Sequence, residues 1–295
     1  MSNGRLIVLF VNRRAGSGSG RALVADLELL LRQYGFDVHT ISELDQLKPY
    51  VAEHKSKVHA VVAAGGDGTV EAAANAIDAD VPIAIFPLGT ENLLAKYLKV
   101  EPHPRRTVEM ISLGKTMQID AGMANGKLFL VMLSCGFDAE VVRRVHEGRE
   151  GNITHLAYAK PIIDSILNYD YPNLKAEWET DVGWEQLDCH WTFAFNMPSY
   201  AAGLQIVSEA NPSDGQLELA TFAGGSFWAG LRQFGAVLIG QHHRLRDFKL
   251  VRSRRIRLSS DRADVPYQVD GDPGGFLPVE IEVLPKHLTL IIDES

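Results

Sequence analysis

Cysteine and long apolar runs are both scarce in this chain of 295 residues. Its two cysteines, Cys135 and Cys189, are too few for a disulfide framework, and the absence of a C-x-x-C pair argues against a cysteine-based zinc site. No apolar run approaches the roughly 18–20 residues of a membrane span. We therefore expect a soluble protein in a reducing, cytoplasmic compartment.

Positive charge is also in short supply. The chain has 29 Lys and Arg residues against 37 Asp and Glu residues, so its formal net charge is −8. Proteins that bind nucleic acids by neutralising phosphates are usually basic. We therefore expect no nucleic-acid partner.

The pattern of apolar and polar residues changes near residue 115. Up to that point, apolar strands alternate with helices, which predicts a doubly wound parallel sheet. Beyond it, short strands bounded by turn residues predict a β-rich, sandwich-like domain, with helices near 155–169 and 227–238 and a single strand over 249–258. We predict an α/β domain over 1–118, to which 286–295 is expected to return, and a β-rich domain over 119–285.

The strongest motif is Gly65-Gly66-Asp67-Gly68-Thr69, which joins an apolar strand to a helix. Adjacent glycines let the backbone approach a ligand closely, and a helix N-terminus attracts anions such as phosphate. Asp67 would repel a bare phosphate, so it is suited to hold Mg²⁺ beside the phosphate or to accept a proton. A tight turn capped by Asp67 is the structural alternative, but we favour a phosphate-binding loop.

Two further loops follow strands of the same predicted sheet. Residues 12–20 are rich in Gly and Ser and precede a helix, so their N–H groups can surround a phosphate. Gly89-Thr90-Glu91-Asn92 is a polar strand-to-helix turn, and Thr40 ends another strand. Ligands bind at the carboxyl ends of parallel strands, so we expect these segments to converge, although each one alone is compatible with an ordinary turn.

Two common phosphate motifs are excluded by single residues. A Rossmann G-x-G-x-x-G motif would need glycine at position 21 or 23, where the chain has Arg21 and Leu23. A Walker A loop ending at Lys115-Thr116 would need glycine where the chain has Glu109. Dinucleotide dehydrogenases and P-loop NTPases are therefore excluded.

Two Asp-Gly segments lie in the second half of the chain. In Asp270-Gly271-Asp272, an extended backbone would place both carboxylates on one side, where they could bind Mg²⁺ or activate a hydroxyl. In segment 211–216, Asp214 and nearby backbone carbonyls could hold a hard cation. A hairpin turn remains the alternative for both segments, because Asp-Gly favours such turns.

These segments resemble the diacylglycerol kinase catalytic-domain family, and within it the bacterial soluble lipid kinases, which are related to sphingosine and ceramide kinases. The resemblance spans nearly the whole chain and rests on Asn12–Gly18, Gly65–Thr69, Pro87–Ala95, Ile119-Asp120, Gly136–Ala139, Asn211–Leu217 and Asp270–Asp272. The chain departs from the family pattern at three places. Arg13 replaces a proline, Asp272 replaces a glutamate, and Tyr200-Ala201-Ala202-Gly203 lacks the usual Gly-Gly pair.

The resemblance implies an ATP- and Mg²⁺-dependent lipid kinase with an NAD kinase- and diacylglycerol kinase-like fold, which transfers the γ-phosphoryl group to a lipid hydroxyl. It implies that ATP is bound by Asn12, Arg13, Arg14, Ala15, Gly16, Thr40, Gly65, Gly66, Asp67, Gly68, Thr69, Val70, Glu71, Thr90 and Asn92. It makes Asp272 and Asp270 equal candidates for the proton acceptor, while Asp67 would order Mg²⁺ or assist deprotonation. It also implies a structural Mg²⁺ held by the side chain of Asp214 and the carbonyls of Asn211 and Gln216.

Two other functions remain open. One is an NAD kinase-like phosphotransferase, which shares the Gly65–Thr69 motif but not the Asp-Gly elements of the second half. The other is a nucleotide-binding regulatory protein without turnover. Which lipid would be phosphorylated does not follow from the sequence.

The resemblance also implies transient contact with a lipid substrate at the inner face of a membrane. Seven of the 29 basic residues lie within 244–257, which is either a patch facing anionic headgroups or the solvated face of a strand. Phe227, Trp228 and Phe234 are expected in the core. Relatives form sheet-edge dimers, so a homodimer is compatible with the resemblance.

Overall fold

The computed structural model describes residues 5–12, 18–147, 169–198, 204 and 206–293. The chain divides into two compact units, one formed by Met1–Ile119 with Lys286–Ser295 and the other by Asp120–Pro285. Two strands, Thr116–Ala124 and Val279–Ile291, carry the chain across the boundaries between the units. The predicted helix over 155–169 lies almost entirely outside the described residues.

The first unit is a parallel sheet with helices in its crossover connections. Its strands are β1 (Leu6–Val11), β2 (Asp37–Ile41), β3 (Val58–Gly65) and β4 (Ile83–Pro87). Its helices are α1 (Gly18–Gln33), α2 (Leu44–His54), α3 (Asp67–Ala76), α4 (Leu93–Tyr97) and α5 (Pro104–Leu113). The strand order is β2-β1-β3-β4, and Leu290 of the last strand pairs in parallel with Ile83. This arrangement confirms the α/β class predicted for the N-terminal half.

Strand β3 lies at the centre of this sheet and is buried on both faces. Its residues Ala60–Ala64 are inaccessible to solvent, as expected for an apolar strand covered by helices. Val11 at the end of β1 is paired with Ala64, and Gly65 at the end of β3 is paired with Pro87 at the end of β4. The loops that follow β1, β3 and β4 therefore start at the same edge of the sheet.

The second unit is a β-sandwich with two described α-helices and a short 3-10 helix, His242–Arg244. Its strands are β5 (Thr116–Ala124), β6 (Lys127–Phe129), β7 (Met132–Gly136), β8 (Leu174–Thr180), β9 (Gly183–Cys189), β10 (Trp191–Phe195), β11 (Leu217–Phe222), β12 (Phe248–Ser253), β13 (Arg255–Ser259), β14 (Pro266–Val269), β15 (Asp272–Phe276) and β16 (Val279–Ile291). The helices are α6 (Phe137–Glu147) and α7 (Phe227–Leu238). The sandwich confirms the predicted class of the C-terminal half.

Two antiparallel layers make up the sandwich. One is ordered β12-β11-β10-β7-β14-β15, and the other contains β16-β13-β8-β9 with β5 and β6 at its side. Apolar residues of both layers form one core, in which Leu133 and Leu219 of the first layer join Ala176 and Ile256 of the second.

Two expectations for this unit were wrong. The single strand expected over 249–258 is two strands, because the ladder breaks at Arg254 and the chain passes from β12 in one layer to β13 in the other. The basic stretch is therefore divided between the two layers and is not one continuous strand face. Trp228, expected in the core, is 75% exposed on α7.

Candidate functional site

The turn between β3 and α3 is shaped by close backbone approach. A Cβ on Gly89 would lie 2.5 Å from the Cα of Gly66, and a Cβ on Gly65 would lie 2.1 Å from the Oγ1 of Thr69. The N–H groups of Thr69 and Val70 bond back to the carbonyl of Gly66, which starts the helix immediately after the strand. The glycines of this motif thus let the turn after β3 pack against the turn after β4. The turn after β3 leads into the N-terminus of α3, where an anion is favoured.

Asn12 joins a third strand end to this turn. Its Nδ2 donates a hydrogen bond to the Oγ1 of Thr69 at 3.2 Å, so the end of β1 is tied to the first turn of α3. Val70, the next residue of α3, is buried. The predicted nucleotide residues Arg13, Arg14, Ala15 and Gly16 lie outside the described residues.

Asp67 reaches from the first turn of α3 to the start of α4. Its Oδ1 accepts a hydrogen bond from the N–H of Leu94 at 3.3 Å. Burial raises the pKa of Asp67, and the N–H groups of Leu93 and Leu94 oppose this shift. Because burial disfavours its charge, the carboxylate is suited to a nearby cation or to holding a proton.

Asn92 shapes the turn after β4. Its backbone is left-handed, with φ of 49°. Its side-chain amide accepts from the N–H of Gly89 at 3.0 Å and donates to the carbonyl of Gly89 at 2.8 Å. Thr90 is exposed on the same turn, whereas the hydroxyl of Thr40 on β2 donates to the carboxylate of Glu28. The contacts of Thr40 are therefore with α1 rather than with the glycine turns.

The Asp270-Gly271-Asp272 segment is the hairpin turn between β14 and β15. The backbone has φ of 49° at Asp270 and 89° at Gly271, as in a tight two-residue hairpin turn. The segment is therefore the hairpin turn that the sequence left open as the alternative to an extended chain.

The two carboxylates of this turn have different surroundings. The carboxylate of Asp270 accepts hydrogen bonds from the N–H groups of Leu130, Val131 and Met132 at 2.7, 3.0 and 2.8 Å. The side chain of Asp272 remains 51% exposed, with its Oδ1 3.5 Å from the Nε2 of His146. Asp270 thus binds the turn to the chain before β7, and Asp272 is left accessible.

A polar cluster beneath the hairpin holds Gly271. The Oε1 of Gln268 accepts from the N–H of Gly271 at 2.8 Å, and its Nε2 donates to Ser134 at 2.8 Å and to Asp138 at 3.1 Å. His146, about two helical turns after Asp138 on α6, contacts the carbonyl of Gly271 at 3.2 Å. Sequence reasoning missed Gln268 and His146, because neither lies in a recognisable motif.

Comparison with known families accounts for both units. A profile of the diacylglycerol kinase catalytic domain matches residues 6–124, and one described as a YegS C-terminal NAD kinase beta sandwich-like domain matches residues 131–292. The second profile spans more than half of the chain, so the chain belongs to the family with this YegS-type domain, and its first half is a diacylglycerol kinase catalytic domain. The family proposed from the sequence motifs is therefore confirmed.

Individual members of this family resemble the chain over most of its length. A Streptococcus pneumoniae protein named "Putative lipid kinase" is 27% identical over 287 residues, which is 95% of this chain and 96% of that protein. A Mycobacterium tuberculosis protein named "Diacylglycerol kinase" is 29% identical over 242 residues, which is 79% of this chain and 76% of that protein. A Bacillus anthracis structure described as a diacylglycerol kinase has a TM-score of 0.74 at 21% identity, covering 100% of this chain and 99% of that one, and shows the shared fold.

The loop that the family resemblance associated with a structural Mg²⁺ is held by hydrogen bonds within the chain. The Oδ2 of Asp214 accepts from the guanidinium of Arg252, and its Oδ1 accepts from the N–H of Gln216 at 3.1 Å. The side chain of Asn211 accepts from the N–H of Ser213. Arg252 therefore supplies positive charge to this loop. The Mg²⁺ site of Asp214, Asn211 and Gln216 stays a prediction.

Arg252 also serves a second, buried carboxylate. Its Nε lies 3.3 Å from the Oε1 of Glu218, while the Oε2 of Glu218 is buried with no hydrogen-bond partner in the described part of the chain. Burial raises the pKa of Glu218 to about 7, against the opposing effect of Arg252. The loop around Asp214 is therefore organised by one arginine shared between two acids.

Two further points concern residues 200–203 and helices long enough to span a membrane. The segment Tyr200–Gly203, which departs from the family pattern, lies outside the described residues. No described helix combines the length and apolarity that crossing a bilayer requires.

Proposed function

We propose that the protein is an ATP- and Mg²⁺-dependent lipid kinase that transfers the γ-phosphoryl group of ATP to a lipid hydroxyl. The observation that carries this proposal is the difference between the two carboxylates of the β14–β15 turn. Asp270 accepts hydrogen bonds from three N–H groups, whereas Asp272 is accessible and lies beside His146. Membership of the diacylglycerol kinase family and the names of its relatives support a lipid acceptor.

The glycine turns of the first unit would bind the nucleotide. Phosphoryl transfer needs positioning and charge neutralisation more than covalent chemistry from the protein. The N-terminus of α3, the hydroxyl of Thr69 and the amide of Asn12 are suited to the phosphates. Asp67 fits Mg²⁺, because its charge is disfavoured by burial and an adjacent cation would stabilise it. The ion would offset phosphate charge.

Asp272 would be the proton acceptor. In the proposed step the lipid hydroxyl oxygen bonds to the γ-phosphorus, and the bond from that phosphorus to the β–γ bridging oxygen breaks. ADP leaves with the electron pair of that bond, and the hydroxyl proton passes to Asp272. The contact of His146 with Asp272 and Gly271 would hold the acceptor in position.

A screen with ATP labelled at the γ-phosphate tests the proposal. The purified chain is incubated with labelled ATP and Mg²⁺, and separately with diacylglycerol, a long-chain base, ceramide, phosphatidylglycerol and NAD. We expect label in a lipid product and none in NAD. Label only in NAD would establish the NAD kinase alternative, and nucleotide binding without transfer to any acceptor, including a total lipid extract, would establish the regulatory one.

A further inference from the structure

Helix α7 presents an apolar face to solvent. Trp228, Leu231 and Leu238 are exposed along one stripe of the helix, and Ile239 follows at its end with 71% exposure. The spacing of these residues is that of one helical face. Surface helices normally direct such a stripe inward, so α7 has the reverse arrangement.

The inward face of α7 is fixed by specific contacts. A Cβ on Gly230 would lie 2.2 Å from the hydroxyl of Tyr171, so this position sits tightly against its neighbour. The Nε2 of Gln233 donates to Asp247 at 2.7 Å, and the ring of Phe234 packs against Phe137 at 6.0 Å. The helix therefore cannot rotate to bury Trp228 without breaking these contacts.

The segment that contains α7 carries only positive charge. Residues 223–246 include Arg232, Arg244 and Arg246 and no Asp or Glu, within a chain of net charge −8. Arg232 pairs with Asp247, whereas Arg244 and Arg246 are exposed and have no acidic partner within salt-bridge distance in the described ranges. An apolar face flanked by unpaired arginines is complementary to a surface that is anionic outside and apolar beneath.

A second copy of the chain fits this surface poorly. A two-fold contact through α7 would pack this patch against its own copy, so the arginines of both copies would lie in one interface to which residues 223–246 contribute no Asp or Glu. Like charges at such a contact oppose association. An anionic lipid surface has no such conflict.

We propose that α7 and the segment after it, 239–246, dock on an anionic lipid bilayer, with Trp228, Leu231, Leu238 and Ile239 entering the headgroup boundary. Tryptophan favours this depth, and helices with an apolar face and flanking cations lie in the interface plane. The proposal rests on the proposed function, because a lipid kinase must reach an acceptor that resides in a bilayer. It assigns the membrane contact to α7 rather than to the whole basic stretch 244–257.

Vesicle co-sedimentation without ATP tests this surface. The wild-type chain is compared on vesicles of phosphatidylcholine alone and of phosphatidylcholine with about one-third phosphatidylglycerol, which carry the surface charge to which basic residues respond. We expect binding to the anionic vesicles that weakens at high salt. We expect Trp228→Gln/Leu238→Gln to lose about tenfold or more in affinity, and Arg244→Gln/Arg246→Gln to lose about tenfold.

Matched variants elsewhere control for general loss of apolar surface or charge. Trp184→Gln/Leu113→Gln removes an exposed tryptophan and an exposed leucine, and Arg5→Gln/Arg21→Gln removes two exposed arginines. Both controls should bind like the wild type. Unchanged binding by the α7 variants, equal loss in the controls, or no vesicle binding by the wild type would overturn the proposal.

Two further readouts identify other occupants. A large fall in melting temperature for Trp228→Gln would mean that the chain itself covers this side chain, and a wild-type dimer that the α7 variants dissolve would mean that a second copy does. Either result overturns the proposal. Asp272→Asn should bind vesicles like the wild type even if it transfers no phosphoryl group. Vesicle binding and kinase activity are thus measured separately, and each proposal can fail without the other.

Discussion

The turn that carries Asp67 and the turn that carries Asp270 and Asp272 are held by different means. In the first, backbone packs on backbone, with Gly66 against Gly89 and no room for a Cβ on Gly89. In the second, side chains hold the backbone. Asp270 accepts from the N–H of Val131, just before β7, and Gln268 accepts from the N–H of Gly271 in the turn. The first turn should therefore be sensitive to added atoms, and the second to lost hydrogen bonds.

The largest effect on stability is expected at Asp270. Asp270→Ala leaves the N–H groups of Leu130, Val131 and Met132, at the start of β7, without their acceptor, and we expect the free energy of unfolding to fall by about 3 kcal/mol. Urea unfolding measures this change. Asp272→Ala is the matched control and should stay within about 0.5 kcal/mol of the wild type. Equal losses in both variants would erase the distinction between the two carboxylates.

A smaller loss is expected where the glycine turns meet. Gly89→Ala would place a Cβ 2.5 Å from the Cα of Gly66 and 2.8 Å from the side chain of Asn92. We expect a loss of about 2 kcal/mol together with weaker ATP binding, measured by urea unfolding and by calorimetric titration. Gly68→Ala is the control from the same motif, because a Cβ there meets nothing within 4 Å. A stable, nucleotide-binding Gly89→Ala would show that the backbone contact is not needed.

The free energy of unfolding should depend on pH because of Glu218 in the second unit. Its pKa in the folded state is raised from 4.5 to about 7 by burial, so the folded chain binds this proton more tightly than the unfolded chain does. The resulting stabilisation is complete below pH 4.5 and is lost as pH rises to about 7, at a limiting slope of about 1.4 kcal/mol per pH unit. Glu218→Gln should remove this slope from unfolding curves measured between these pH values. An unchanged slope would show that a group other than Glu218 causes the pH dependence.

The smallest stability effect is expected at Asp67. Its pKa is raised by burial, so the stabilisation from its protonated form is complete below the usual value of 3.8 and is lost as pH rises through the folded-state pKa. At pH 7, Asp67→Asn should therefore be at least as stable as the wild type, while phosphoryl transfer falls. A clear destabilisation at pH 7 would mean that the bond to Leu94 outweighs the burial of the charge.

The two turns also differ in what the sequence could predict. The position of Gly65–Thr69 between an apolar strand and a helix was enough to place the first turn, because both elements are local and the register of parallel strands brings β1, β3 and β4 to one edge. The roles of Asp270 and Asp272 could not be separated, because the N–H groups that bind Asp270 come from a segment about 140 residues earlier.

Long-range pairing also explains what could not be predicted at Asp214 and at Trp228. Asp214 lies in a motif that the family resemblance associated with Mg²⁺, but its partner Arg252 is 38 positions away and reaches it only because β11 and β12 are neighbours. Trp228 lies in an apolar segment, which favours a prediction that its side chain is buried in the core. Its exposure follows from Gly230 and Gln233, which turn the opposite face of α7 inward.

A paired assay of Asp272→Asn and Asp270→Asn decides whether Asp272 is the proton acceptor. Transfer from labelled ATP to lipid and the free energy of unfolding are measured on the same preparations, with Asp261→Asn as an exposed control carboxylate in the same unit. We predict that Asp272→Asn lowers the transfer rate about 10²- to 10⁴-fold at wild-type stability, whereas Asp270→Asn acts mainly on stability. Wild-type transfer by folded Asp272→Asn would contradict this assignment.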